Sequence, residues 1–340
     1  MKSLRDAAAL IPAVGRLRHA RDALLAERDA LAARLYAADR RPLQHASSPF
    51  LHYNACFDPV EVMRRHAVFH VNATAGYLTN FLGVRIDPKV CPSILAGRAG
   101  EVEPIPIPAN WHADIAEWGA ALRAVDLARH SFTVVELGCG WGCWLNNTGV
   151  AARRAGLDVH LIGVEADEGH LGFAREACAV NGFTPDQVSI YRGVAAANNG
   201  IALFPHQHQP GEAYGLEPVF GATEQERRAA AESGRFDELP MIPLSEVAGP
   251  HARVDLLHID IQGGEADYIA GCLPLLGEKV AYMLVGTHSR QIEGATIAML
   301  LQAGWRLEIE RPAIFALVDG QPRITVDGVQ GWRNPALHTA

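Results

Sequence analysis

The sequence predicts an α/β protein built on a doubly wound, mainly parallel sheet. Two observations carry this prediction. From residue 131 onward, strand-like apolar runs alternate with helix-like segments, and the first such run ends in a glycine-rich turn. Repeated units of this kind cover a parallel sheet with helices on both faces, and ligands bind where the strands end. The 340 residues suffice for one such domain with appendages.

Each predicted element follows from the spacing of its apolar residues. Runs of about six to eight β-branched and apolar residues predict strands, and apolar residues three and four positions apart predict helices. The predicted strands are residues 132–137, 159–164, 188–194, 254–261, 280–285, 305–310 and 313–318. The predicted helices are residues 111–129, 141–155, 265–276 and 292–303, with one more that ends near Asn181.

The remaining segments predict appendages to this main domain, which spans residues 111–340. Heptad spacing of leucines in residues 1–40 predicts a coiled-coil helix that makes the chain a homo-oligomer, or else one amphipathic helix on its own domain. Residues 41–110 predict an N-terminal cap or substrate subdomain. An insertion at about residues 195–252 predicts a helical lid, because loops this long in compact domains are usually functional.

Composition excludes several classes of protein. The formal net charge of -8 provides no basic surface for a nucleic-acid backbone, so nucleic acid is not an expected partner. No apolar run approaches the roughly 20 residues of a membrane-spanning helix. The first residues lack the pattern of a secretory signal, and the six cysteines show no paired framework. These features predict a cytoplasmic protein with reduced thiols.

The glycine-rich turn indicates the type of ligand. Gly138, Gly140 and Gly142 follow an apolar strand, with the acidic Glu136 two positions before the first glycine. A dinucleotide-binding fold uses G-x-G-x-x-G, in which the third glycine comes one residue later than here. The pattern E-x-G-x-G-x-G resembles motif I of class I S-adenosylmethionine (SAM) methyltransferases, whose ligand carries an ammonium and a sulfonium.

This resemblance implies a set of cofactor-binding residues around the first two strand ends. Glu165 ends the second predicted strand, where an acidic side chain accepts hydrogen bonds from ribose hydroxyls. Glu136 either orients the ammonium of SAM or buttresses the turn. The full predicted set is Glu136, Gly138, Cys139, Gly140, Trp141, Gly142, Glu165 and Asp260.

Two later strands deliver the residues expected to perform the chemistry. Asp260 lies at the end of the fourth predicted strand and His288 follows the fifth, so both reach the same edge of the sheet. We predict that His288 acts as a general base on an acceptor hydroxyl and that Asp260 supports it. Alternatively, Asp260, Glu265 and His288 hold a divalent metal. Substrate contacts are predicted for His258, Gln262 and Glu265.

At this point the chain resembles the FkbM family of SAM-dependent methyltransferases. The resemblance rests on the glycine-rich turn, on the D-I-Q-G-x-E segment at 260–265 and on G-T-H-S at 286–289. Gln262 stands where the family commonly has a glutamate, which removes one charge from a metal site. The resemblance implies O-methylation of a small-molecule or glycan hydroxyl, often of a sugar in a bacterial surface polysaccharide or a natural product.

The sequence therefore predicts a SAM-dependent O-methyltransferase with SAM as its cofactor. Two alternatives from other classes remain. The acidic end of the second strand also suits an NAD-dependent oxidoreductase. A non-catalytic scaffold protein with a SAM-type fold is the second alternative, in which the N-terminal helix would dominate.

Overall fold

The structure, a computed structural model, describes residues 48–209, 211 and 213–337. The strands in this part of the chain are β1 (Asn54–Ala55), β2 (Leu78–Thr79), β3 (Arg85–Ile86), β4 (Ser131–Leu137), β5 (Asp158–Glu165), β6 (Val188–Arg192), β7 (Val194–Ala196), β8 (Gly200–Pro205), β9 (Phe236–Pro243), β10 (Leu256–Ile259), β11 (Tyr282–Thr287), β12 (Arg306–Arg311), β13 (Ile314–Val318), β14 (Gln321–Val326) and β15 (Gly328–Arg333). The helices are α1 (Pro59–His66), α2 (Pro92–Leu95), α3 (Ile115–Leu127), α4 (Cys143–Arg154), α5 (Glu168–Val180), α6 (Glu224–Ser233), α7 (Leu244–Ala248), α8 (Glu265–Lys279) and α9 (Arg290–Gln302).

An eight-stranded sheet forms the centre, in the order β1-β12-β15-β11-β10-β4-β5-β6. Strands β6, β5, β4, β10 and β11 run parallel to one another. Strand β15 is antiparallel to both of its neighbours, and β1 is antiparallel to β12. The predicted α/β class with a large parallel sheet is thus confirmed.

The last part of the sheet differs from the prediction. The strand expected at 305–310 is β12, but the one expected at 313–318 is β13, which pairs with β14 in a separate hairpin. The sheet is instead completed by β15, which the sequence analysis missed. A Cβ on Gly331 would lie 2.6 Å from Cγ2 of Ile309, so this strand needs glycine to pack closely. Glycine weakens the alternating apolar signal that predicts a strand.

Helices cover both faces of the sheet, and each face has its own apolar cluster. On one face lie α3 and α4. The residues that predicted the first of these helices, Ile115, Trp118, Leu122 and Val125, are all buried. This helix begins with a capping box, in which the Asp114 and Glu117 side chains accept hydrogen bonds from backbone N–H groups. The other face is covered by α7, α8 and α9.

The segments outside the central units add secondary structure of their own. The insertion at 195–252 forms a three-stranded sheet, β7-β9-β8, with α6 as its longest helix, so it is not purely helical. Residues 49–110 supply β1 to the sheet edge, and α1 packs on α3 where Gly119 faces Pro59. The predicted coiled coil at 1–40 lies outside the described residues. None of the described helices has the length and apolar character needed to cross a membrane.

The order of the strands locates the site. After β4 the chain proceeds outward to β5 and β6, and later returns to form β10 on the other side of β4. The strand order therefore reverses beside β4. In open α/β sheets, ligands bind in the crevice outside the carboxyl ends of the strands at such a reversal.

Candidate active site

The turn between β4 and α4 is held in a backbone conformation that favours glycine. Gly138, Gly140 and Gly142 have φ angles of 69°, 52° and 76°. At Gly138 a Cβ would also lie 2.3 Å from the carbonyl oxygen of Asp260, so no side chain fits there. Glycine at position 138 therefore lets the end of β4 contact the loop that follows β10.

A cavity of about 1050 Å³ opens at this point. It lies at the upper end of the roughly 300–1,000 Å³ typical of ligand pockets. Six of the predicted site residues line it: Gly138, Gly140, Glu165, Asp260, Gln262 and His288. Its lining also contains the carboxyl side chains of Asp167, Glu217 and Asp267, and the described residues that line it include no lysine or arginine. The cavity thus favours a cationic or neutral ligand over an anion.

Glu165 lies at one end of the cavity, beside the glycine turn. Its carboxylate accepts hydrogen bonds from the backbone N–H of Gly140 at 2.7 Å and of Asp167 at 2.8 Å. Burial raises the pKa of Glu165 to about 7, although these backbone hydrogen bonds oppose the shift. A carboxylate has lone pairs left for ribose hydroxyls.

Glu136 buttresses the turn rather than meeting a ligand. Its two carboxylate oxygens accept hydrogen bonds from the backbone N–H groups of Trp144 and Leu145, at 3.1 and 2.9 Å, in the first turn of α4. Only 2% of the residue is exposed, and burial raises its pKa to about 8. Of the two roles considered for Glu136, this position favours the support of the turn.

Three more residues of the predicted cofactor set do not line the cavity. The sulfur of Cys139 packs against Gly163, where an added Cβ would be 2.8 Å away. Trp141 stacks on Trp111, with ring centroids 6.1 Å apart, and is almost fully buried. Gly142 starts α4 in the left-handed conformation. The side chains of Cys139 and Trp141 face the protein interior and Gly142 contributes its backbone conformation, so all three positions shape the turn.

Asp260, Glu265 and His288 meet where β10 and β11 end, on the opposite side of β4 from Glu165 and β5, and this side is the second end of the cavity. Nε2 of His288 lies 3.3 Å from Oδ1 of Asp260, and Nδ1 lies 3.0 Å from Oε1 of Glu265. Burial alone would lower the pKa of His288, but its contacts with both carboxylates raise it to about 10. Burial likewise opposes ionisation of Asp260, yet the contact with His288 lowers its pKa overall.

This geometry argues against His288 as a general base in the form predicted from the sequence. An imidazole with a pKa near 10 holds its proton at neutral pH and cannot accept another from a hydroxyl. The prediction foresaw one carboxylate beside the ring. It grouped Glu265 with these two residues only as a metal ligand, whereas the structure places this fully buried side chain, in the first turn of α8, against the second ring nitrogen.

The two remaining predicted substrate residues differ in position. Gln262 lines the cavity, and its Nε2 donates a hydrogen bond to Oδ1 of Asp260 at 3.0 Å. His258 instead lies in the core, with its ring 6.0 Å from that of Trp144. Burial lowers the pKa of His258 to about 4, which keeps the ring neutral. Its position is that of a core histidine, not of a substrate contact.

Comparison with known proteins assigns the chain to a family. A protein of Jannaschia sp. (strain CCS1), described as "Putative methyltransferase", is 45% identical over 276 residues, which is 81% of this chain and 98% of that protein. The chain belongs to this methyltransferase family. No protein-family model matches it.

Solved structures of other methyltransferases are similar at a lower level. One is precorrin-6y C5,15-methyltransferase from Geobacter metallireducens GS-15, which is 8% identical, covers 63% of this chain and 86% of that one, and has a TM-score of 0.34. Another is ribosomal protein L11 methylase from Lactobacillus delbrueckii subsp. bulgaricus, at 12% identity, 70% and 87% coverage, and a TM-score of 0.34. The sequence relative, not these structures, assigns the family.

The methyltransferase cavity also contains residues that the sequence analysis missed. The Tyr214 ring stacks on His170, with centroids 4.1 Å apart, and its hydroxyl donates a hydrogen bond to the carbonyl of Val90 at 2.6 Å. An added Cβ on Gly140 would lie 3.1 Å from this ring. The insertion thus covers the glycine turn. Glycines at 211 and 215 on either side of Tyr214 were the one available signal for a close approach.

Proposed function

We propose that this methyltransferase transfers a methyl group from SAM to a hydroxyl group of a neutral, sugar-containing acceptor. The observation that carries this proposal is one acidic cavity that extends from Glu165 and the glycine turn to Asp260 and His288. Its volume of about 1050 Å³ accommodates a nucleoside donor and part of an acceptor together.

The donor occupies the end of the cavity beside the glycine turn. Glu165 accepts hydrogen bonds from the ribose hydroxyls, and the backbone of Gly138 and Gly140 lies against the methionine part. The adenine lies near residues 193–195, which line the same end. The absence of lysine and arginine from the described lining fits a positively charged donor better than the pyrophosphate of NAD. The antiparallel strand β15 also departs from the 3-2-1-4-5-6 order of the dinucleotide-binding fold.

The acceptor occupies the end that contains Asp260. In methyl transfer the sulfur–carbon bond breaks, an oxygen–carbon bond forms and the sulfonium becomes a neutral thioether. The acceptor hydroxyl must also lose its proton. Asp260 is ionised and lines the cavity, so it accepts a hydrogen bond from the hydroxyl and takes the proton as the oxygen–carbon bond forms, while His288 and Gln262 hold the carboxylate in place.

The lining of the cavity supports a sugar acceptor. Amide, hydroxyl and carboxyl side chains provide hydrogen-bond partners for several hydroxyl groups. They belong to Asn198, Gln207, Glu217, Asp267 and Ser289. The aromatic rings of Phe220 and Tyr268 also line the cavity and offer apolar faces for a sugar ring. These features fit the hydroxyl acceptors that the FkbM resemblance implies.

Two further expectations accompany this function. We propose that the enzyme works in the cytoplasm, since its six cysteines are free and a reducing compartment keeps them so. We also propose that it forms homo-oligomers through residues 1–40, on the strength of their heptad spacing.

Two measurements test the proposed function. Calorimetric titration with S-adenosylhomocysteine and with NAD should show binding of the first only. Incubation with SAM labelled in its methyl group should then label neutral oligosaccharides, and Asp260→Asn should abolish the labelling. Binding of NAD alone would identify an oxidoreductase. Binding of S-adenosylhomocysteine with no labelling of any glycan or small hydroxyl compound would refute the acceptor class.

A further inference from the structure

Three polar side chains converge at the acceptor end of the cavity from three different elements. Asp260 follows β10, Glu265 opens α8 and His288 follows β11. One ligand atom from each lies within 4.8 Å of the other two. Two carboxylates and one imidazole at this separation match the ligands with which proteins bind divalent cations.

Part of this cluster has no hydrogen-bond partner. Oε1 of Glu265 accepts hydrogen bonds from the backbone N–H groups of Ile261 and Gly263, both at 3.1 Å. Oε2 of this fully buried side chain accepts none from the part of the chain that the structure describes. Nδ1 of His288 is also buried and has no hydrogen-bond partner among the described residues, although it lies 3.0 Å from Oε1 of Glu265. Buried polar atoms without a partner are rare and often belong to a site that binds something.

The loop that joins Asp260 to Glu265 has an uncommon backbone conformation. Gln262 has a φ of 58°, which is uncommon for a residue other than glycine, and Gly263 has a φ of 106°. Strain of this kind persists where the surroundings enforce it, frequently at functional sites. The side chain of Gln262 uses the strained position to donate a hydrogen bond to Asp260. Hydrogen bonds to a ligating carboxylate are typical of the outer shell of metal sites.

The surrounding charge also favours a cation. Glu165, Asp167, Glu217 and Asp267 line the same cavity, and the part of the lining that the structure describes contains no lysine or arginine. The two carboxylates contact the imidazole of His288 but no lysine or arginine of that lining, so the cluster keeps a net negative charge that a divalent cation can offset.

We propose that Asp260, Glu265 and His288 bind a divalent cation, and that this cation holds the acceptor hydroxyl. Three protein ligands leave open coordination positions, as in metal sites that act on a substrate. The bound cation would orient the hydroxyl and make its proton easier to remove. In this arrangement Gln262 positions Asp260 and is not a ligand. The catalytic role rests on the proposed O-methyl transfer, whereas cation binding does not depend on it.

Titration of chelator-treated protein with Mn²⁺, followed by the electron paramagnetic resonance of free Mn²⁺, tests the site directly, with Zn²⁺ as a second probe. We expect one cation per chain. Glu265→Gln keeps a side-chain oxygen for Ile261 and Gly263 but loses the free carboxylate oxygen, so it should weaken binding at least about tenfold. Glu278→Gln is the matched control, because it makes the same substitution at an exposed position of α8 that does not line the cavity. It should change affinity less than about twofold.

Other results would overturn the proposal. These are the absence of a stoichiometric site for either cation, and equal effects of Glu265→Gln and Glu278→Gln. If circular dichroism shows that Glu265→Gln is unfolded, His288→Ala, which lies at the cavity rim, replaces it with the same expected loss. Full turnover by metal-free enzyme would refute the role in methyl transfer. Failure of metal-free protein to bind S-adenosylhomocysteine would instead count against the proposed function and leave the cation site standing.

Discussion

The two ends of the cavity contain carboxyl groups whose pKa values shift in opposite directions. At the donor end, burial raises the pKa of Glu165 to about 7. At the acceptor end, the pKa of Asp260 is lowered despite burial, and that of His288 is raised to about 10. Both ends lie at strand termini of one sheet. Position in the fold therefore does not decide the charge of these groups.

The difference lies in what contacts each carboxylate. Glu165 has only backbone N–H donors, which carry partial charges and do not fully offset its burial. Asp260 contacts an imidazole that can carry a full charge. Glu165, with a pKa of about 7, accepts hydrogen bonds from ribose hydroxyls in its ionised form, and the ionised Asp260 suits a proton or a cation. Experiments that change one end and spare the other test this division.

The largest effect is expected at the acceptor end. His288→Ala removes the partner of both Asp260 and Glu265 and should lower turnover by about 10²- to 10⁴-fold, the range for groups that assist proton transfer. Affinity for S-adenosylhomocysteine should stay within about threefold, because the donor lies at the other end. Steady-state kinetics and calorimetry measure the two quantities. Equal losses of turnover and of S-adenosylhomocysteine affinity would mean that the two ends do not act independently.

A smaller effect is expected at the donor end, where a substitution should weaken donor binding and leave cation binding unchanged. Glu165→Gln removes the charge that strengthens hydrogen bonds from the ribose, and charge-assisted hydrogen bonds contribute about 1.5–3 kcal/mol. Affinity for S-adenosylhomocysteine should therefore fall roughly 10- to 100-fold. Binding of Mn²⁺ at Asp260, Glu265 and His288 should not change. A variant that binds S-adenosylhomocysteine as tightly as the wild type would remove Glu165 from the ribose site.

The same carboxyl group predicts how donor binding depends on pH. Ribose hydroxyls donate to the ionised form of Glu165, so binding should lower its pKa below the value of about 7 in the free protein. Affinity for S-adenosylhomocysteine should be constant above pH 7 and fall by up to about tenfold per pH unit below it. Glu165→Gln is the control and should show no such decline. A wild-type profile that is flat between pH 5.5 and about 8 would contradict this assignment.

The smallest effect on either end is expected from Glu136. This residue supports the turn from below, so Glu136→Gln should change ligand affinity less than about twofold. Its folded-state pKa of about 8 is above the ordinary value of 4.5, so the folded state favours the proton. The stability that the protonated group contributes is complete below about pH 4.5 and is lost as the pH rises to about 8, by roughly 1 kcal/mol per pH unit. Urea denaturation should show this slope in the wild type and not in the variant.

Much of the fold was predictable because it depends on local patterns. The five parallel strands and the glycine turn combine apolar runs with glycines in a fixed order, so the sequence shows them directly. Strand β15 was not predictable, since its glycines are explained only by the residues they face, such as Ile309. The insertion likewise acquires its sheet from pairings between β7, β8 and β9 that no single segment indicates.

The positions of several site residues were also predictable, because they too depend on local sequence patterns. Strand-end position was enough to select Glu165, Asp260 and His288 as residues of the cavity. It was not enough to give the charge of His288, which depends on Glu265 from a helix that begins after the loop. Glu136 matches the sequence motif but supports α4, because its side chain turns to the backbone N–H groups of that helix. Orientation of this kind depends on tertiary packing.

A crystal structure with S-adenosylhomocysteine tests the division of the cavity most directly. We expect its ribose on Glu165, its methionine part along the backbone of Gly138 and Gly140, and its sulfur directed toward Asp260. Ligand density elsewhere on the protein, or a sulfur directed away from Asp260, would contradict the assignment of this cavity to methyl transfer.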